Sequence, residues 1–198
     1  DKCPSRNINK LIWFVSEGGM DIDGLGDVMV ENLFNEKLLL SFPDVYKLKN
    51  HREEIMLMDG IGEKTVNALF AAVDKSKNNS LEMLVAGLGI PLVGKKTAKI
   101  LAQHYLSLDK LMSASLTELA TLKDVGDKTA GVVKAYFDNS VNREMIEELR
   151  TLGLNFIIIG FFDTFLTALV ISIADSALCP NAIPPSFTFG HDILISSM

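Results

Sequence analysis

The chain has 198 residues, 48% of them apolar and 22% charged, which excludes a disordered chain and gives room for one large or two small domains. A formal net charge of −6 and a pI near 5.1 exclude a generic polyanion binder that works through a strongly basic face. The two cysteines, Cys3 and Cys179, are too few for a disulfide framework and point to a reducing, intracellular setting.

The chain begins at Asp1 without a basic-then-apolar leader, as expected of a piece of a longer protein. From Asn7 to Val15 the apolar residues Ile8, Leu11, Ile12 and Val15 fall at helical spacing, and Gly18-Gly19 ends that run. A glycine turn follows, Asp23-Gly24-Leu25-Gly26-Asp27, and then a helix of about 27–35. Ser41-Phe42-Pro43-Asp44 starts a short helix through Leu48. Arg52 to Met58 leads to a second turn, Asp59-Gly60-Ile61-Gly62-Glu63. The helix after it, over 63–73, places Val66, Leu69, Phe70 and Val73 on one face. Asn79-Ser80-Leu81-Glu82 reads as a capped start for a helix to Gly89.

A third turn, Pro91-Leu92-Val93-Gly94-Lys95, opens a helix over 95–105. Ser115-Leu116-Thr117-Glu118 is a capping box. A fourth turn, Lys123-Asp124-Val125-Gly126-Asp127, opens a helix over 127–137. The last helix is expected to be capped by Ser140 and to end at Gly153. No alternating strand appears before residue 154, so the first 153 residues read as all-α. Trp13 and the phenylalanines of this part read as core.

The last glycine of each turn falls at 26, 62, 94 and 126, a near-fixed interval that marks one supersecondary unit used four times. The chemistry of the unit is a tight turn at a helix start, where unpaired N–H groups and the helix dipole favour a phosphate. The candidate backbone-binding residues are Gly24, Gly26, Gly60, Gly62, Gly94 and Gly126, with Lys64, Lys95, Lys96 and Lys128 beside the turns. Turns three and four lack the first glycine, having Leu92 and Asp124 there. Such contacts read nucleic-acid backbone and not base identity.

These turns are helix-hairpin-helix motifs, and the words around them are more specific than the motif itself. Cys3-Pro4-Ser5, the run Leu11-Ile12-Trp13-Phe14-Val15-Ser16, and Met20-Asp21-Ile22-Asp23-Gly24-Leu25-Gly26 resemble NAD-dependent bacterial DNA ligases. Asp44-Val45-Tyr46-Lys47-Leu48, Gly60-Ile61-Gly62-Glu63-Lys64, Ser76-Lys77 and Ala86-Gly87-Leu88-Gly89-Ile90-Pro91 continue that family's order over about residues 3–153. The resemblance implies a cytoplasmic, monomeric nick-sealing enzyme of replication and repair that uses NAD, magnesium and zinc. Its adenylation, OB and BRCT domains would lie outside this chain, and nicked duplex DNA would be its partner. The resemblance also makes Cys3 the last of four zinc ligands, the other three lying outside the sequence. The Lys-x-Asp-Gly motif of the family's adenylated lysine does not occur here. The chain is therefore expected to hold no catalytic residue or cofactor and to be inactive alone.

Three segments are expected: 1–16, the end of a zinc-finger segment with a leading helix; 17–153, a four-repeat helix-hairpin-helix DNA-binding domain; and 154–198, an apolar tail. The tail has no Lys or Arg and carries Asp163, Asp175 and Asp192. Leu154 to Ala174 is long enough to span a bilayer, but Asp163 sits in its middle. A span, a tail packed on the helices, and an altered or substituted terminus all remain open. Beside the ligase reading stand a non-enzymatic helix-hairpin-helix DNA-binding protein, membrane-tethered by the tail, and a helical protein-interaction module.

Overall fold

A computed structural model describes residues 4–158 of the chain. Cys3 and the apolar run from Ile159 onward lie outside the described residues, and with them the zinc-ligand, tail and membrane-tether expectations. The described part is all helical, as its periodicity predicts. Its elements in order are α1 (Pro4–Val15), α2 (Asp27–Asn35), α3 (Phe42–Lys47), a 3-10 turn (Leu48–His51), α4 (Arg52–Met56), α5 (Glu63–Ser76) and α6 (Leu81–Gly87). Then come α7 (Lys95–Tyr105), α8 (Leu108–Ser113), α9 (Leu116–Thr121), α10 (Asp127–Asp138) and α11 (Ser140–Thr151). No helix among the described residues is long and apolar enough to cross a membrane.

Each glycine turn joins two helices that pack on each other: α1 on α2, α4 on α5, α6 on α7, and α9 on α10. The residue four positions after the last glycine sits at each crossing, and Val30, Val66, Ala98 and Ala130 are all fully buried. The threonines one position earlier are not part of that seam, since Thr65 is exposed and Thr97 and Thr129 only half-buried. The first pair docks on the third through α1 and α6. There a Cβ at Gly19 would lie 2.9 Å from the Gly87 Cα, so the two backbones meet at glycines. Phe14 fills the space beneath, stacked on Phe42 with ring centroids 4.3 Å apart and edge-on to Tyr46. Burying a side chain of that size contributes ~2–3 kcal/mol.

Trp13 is not in the core. It is 41% exposed, lies over Gly18, and donates its indole N–H to the Ala86 carbonyl at 2.8 Å. Three caps also differ in detail from the sequence reading. Asn139, not Ser140, caps α11 by accepting from the N–H of Val141. Ser80 starts α6 without a side-chain cap. Helix α8 is absent from the sequence reading because six residues carry too little periodicity; Ser107 caps it.

The packed unit runs past Gly153. Leu154 and Phe156 are buried, and residues 154–158 form a strap across the helices. Asn155 donates its backbone N–H to the Lys77 carbonyl and its side-chain amide to the Asn79 carbonyl. Asn79 in turn donates to the Met20 carbonyl. On the other side, the Leu108 N–H bonds the Phe156 carbonyl and the Ile158 N–H bonds the Leu106 carbonyl. The Arg150 guanidinium stacks on the Phe156 ring, 4.5 Å from its centre.

Candidate nucleic-acid interface

The four turns share one backbone. In each, an apolar residue's carbonyl accepts from the N–H three positions on: Leu25 to Ile22, Ile61 to Met58, Val93 to Ile90, and Val125 to Leu122, at 3.0–3.2 Å. The third residue of each turn has positive φ: Gly24 at 87°, Gly60 at 77°, Leu92 at 66° and Asp124 at 67°. A turn of this kind needs that conformation at its third residue. Glycine takes it freely, while leucine pays ~1–2 kcal/mol. The missing glycines of turns three and four thus change the cost of the turn and not its shape. The fourth residue, Leu25, Ile61, Val93 or Val125, plugs the turn into the core.

The last glycine of each turn, Gly26, Gly62, Gly94 or Gly126, is the N-cap of the next helix. Its φ lies between −72° and −97°, an ordinary extended value that does not call for glycine. The conformational reason for glycine therefore belongs to Gly24 and Gly60 alone. Nor does packing call for it, since a Cβ at any of the four N-cap positions would meet no atom within 4 Å. None of the four helices receives a side-chain cap. By contrast α8, α9 and α11 are capped by Ser107, Ser115 and Asn139. The result is four helix starts whose first-turn N–H groups stay open behind a residue with no side chain.

The turns lie in two pairs. A depression of about 420 Å³ lined by Gly26, Val28, Asp59 and Ile61 joins the first to the second. Lys96, on the third, reaches Asp124 on the fourth, with Nζ to Oδ2 at 3.3 Å. The two pairs differ in charge. Two residues after the N-cap glycine stand Val28, Lys64, Lys96 and Lys128, so the first turn alone lacks a lysine there. Between Lys10 and Lys37 there are six acids and no Lys or Arg. Helix α7 has no acid in its first turn and begins Lys95-Lys96, while α2, α5 and α10 begin with Asp27, Glu63 and Asp127. Lys95 faces Glu17 at 3.6 Å across a cleft of about 430 Å³ that Asp21, Glu82 and Lys99 also line.

Titration does not mark this surface. Burial pushes the Tyr46 hydroxyl up to about 12 and raises that of Tyr136, and both rings serve packing. Backbone and hydroxyl donation from Ser115 holds the Glu118 carboxyl below its ordinary range within the α9 capping box. Among the described residues no three His, Cys, Asp or Glu side chains converge to hold a metal ion.

Residues 83–146, which hold the third and fourth turns, match the helix-hairpin-helix motif family. The chain is 42% identical over 154 residues to the DNA ligase of Acholeplasma laidlawii, covering 78% of this chain and 23% of that protein. It is equally similar to the DNA ligase of Bacillus subtilis, 42% over 154 residues with the same two coverages. To the DNA ligase of Brevibacillus brevis it is 39% identical over 153 residues, 77% of this chain and 23% of that protein. The chain therefore spans about a quarter of the length of the curated relatives it matches.

Proposed function

We propose, on the premise that this chain is homologous to bacterial DNA ligases and carries their helix-hairpin-helix segment, that its open helix starts grip the sugar-phosphate backbone of duplex DNA. The observation that supports this most directly is the set of N-cap glycines. Neither conformation nor packing among the described residues accounts for Gly26, Gly62, Gly94 or Gly126. An external group that must approach the helix start closely does account for them, and a phosphate matches the open N–H groups and the dipole. The residues that act are these four glycines, Gly24 and Gly60 as shapers of the turn, and Lys64, Lys95, Lys96 and Lys128 as cationic flanks. The charge pattern makes the first turn the weakest, since Val28 stands where the other three have a lysine.

Within the whole ligase, this segment would hold the duplex on both sides of a nick while other domains seal it. Nick sealing in cytoplasmic replication and repair, NAD as adenylate donor, and the magnesium and zinc of the complete enzyme are drawn from homology and belong to this proposal. On this reading the described residues bind the duplex, and no step of that chemistry is assigned to them. The test is binding of the 198-residue chain to nicked and intact duplexes of unrelated sequence across a salt series, with heparin as a competitor. The expected outcome is weak, sequence-independent binding with a shallow salt slope, since few lysines meet the backbone. Equal preference for heparin and duplex overturns the reading.

A further inference from the structure

Three of the four helices that start behind an N-cap glycine open on an acid: Asp27 on α2, Glu63 on α5 and Asp127 on α10. A carboxylate at a first helical position suits the helix dipole while the protein is free. Toward a phosphate it is a rival, because it seeks the same open N–H groups and repels a second anion. Among the described residues, Glu63 alone of the three is held by a cation, and that cation is Arg52.

Arg52 opens α4, the other arm of the second hairpin, and its guanidinium lies against the first turns of α5. One Nη donates to the Glu63 carboxylate at 3.2 Å, and the other donates to the Asn67 side-chain oxygen at 2.8 Å. The guanidinium carbon lies 6.0 Å from the centre of the Phe70 ring. Residues 63, 67 and 70 are spaced by four and three, so they share one face of α5. A planar fork matches this set of partners, and a lysine ammonium would not. Both members of the ion pair are substantially exposed, so the pair adds little to stability. Its effect is on direction. A carboxylate bound to a guanidinium that also reaches Asn67, a turn further on, is drawn along the flank of α5 and not over its start.

We propose that Arg52 is a positioning residue for duplex binding by the second turn. It holds the Glu63 carboxylate aside and neutralises it, so that a phosphate reaches the N–H groups behind Gly62. This rests on the backbone-binding reading above. The test is a double-mutant cycle in the 198-residue chain, with Arg52→Gln, Glu63→Gln and both together, read by fluorescence anisotropy on a nicked duplex.

Arg52→Gln frees the carboxylate and should weaken binding about three- to fivefold. Glu63→Gln should bind as tightly as the parent or about twofold tighter, since one like charge is lost. With Glu63→Gln already in place, Arg52→Gln should weaken binding by no more than about 1.5-fold, because the acid it restrains is gone. Asp127→Asn on the fourth turn serves as the control, and the loss caused by Arg52→Gln should persist in its presence. A structural arginine would not be relieved by a change at Glu63 alone. An equal loss with Glu63 or Gln at position 63 overturns the proposal and makes Arg52 a direct contact or a fold residue. No loss from Arg52→Gln, or the same relief from Asp127→Asn, also overturns it. Each of these outcomes leaves the backbone-binding reading standing, whereas failure of the parent chain to bind any duplex overturns both.

Discussion

Lys96 Nζ lies 3.3 Å from the Asp124 carboxylate, so a cation on the third turn is held by an acid at the tip of the fourth. Both side chains are substantially exposed, and an exposed pair of this kind adds little to stability, ~0–1 kcal/mol. Its larger effect is on function. Asp124 neutralises a lysine that the proposed interface would present to phosphate, and adds a negative charge where the duplex would approach.

Asp124→Gly should therefore tighten duplex binding. Glycine takes the left-handed backbone at no cost, Lys96 is released, and one like charge is removed. The expected gain is about two- to fivefold at low salt, with the salt slope steeper by about one. Titration of a nicked duplex at several salt concentrations checks it.

The N-cap glycines give a probe in which folding and binding move apart. Gly94→Ser together with Gly126→Ser places a hydroxyl where the open N–H groups are, at backbone angles any residue can adopt. Serine is at least as good an N-cap as glycine, by a few tenths of a kcal/mol. The thermal midpoint should hold or rise slightly while nicked-duplex affinity falls about tenfold, since charge-assisted hydrogen bonds are lost. Circular dichroism with a gel shift on the same sample reads both.

Val28 stands where the other three turns have a lysine, and it is 71% exposed. Val28→Lys should convert the first turn into a stronger backbone contact, raising affinity about twofold and steepening the salt slope by about one. An unchanged slope would show that the acids around this turn keep the duplex away from it.

The strap makes a prediction about stability alone. Phe156 is 6% exposed and carries the Arg150 guanidinium on its face. Phe156→Ala should cost ~3 kcal/mol, read by chemical denaturation. A chain ending at Gly153 should show a similar loss relative to a chain ending at Ile158.

Much of this was legible in the sequence because it was written in repetition. Four glycine turns, the apolar faces of α5, α7 and α10, the helix start at Ser41 and the capping box at Ser115 each follow from short local patterns. What escaped notice depends on distant partners or on backbone angles. The strap at 154–158 reads as the start of an apolar run, because its partners, Lys77, Asn79 and Leu106, lie far off in sequence. Trp13 reads as core by helical spacing, yet α6 offers it a carbonyl at the surface. The division of labour between the two glycines is invisible to a motif. Only the dihedral angles show that the first shapes the turn and the second leaves room.

The strap also decides what kind of polymer the repeat makes. Asn155 and Asn79 lead back to Met20 beside the first turn, and Lys47 of α3 pairs with Glu148 of α11. The ends of the array are thus tied to each other, and each unit touches more than its sequence neighbours. An open solenoid unfolds unit by unit and can gain or lose a unit without harm. A ring closed in this way cannot. Contacts of this kind between non-neighbouring units should make it melt as one body, so that a change in one turn is felt by the others.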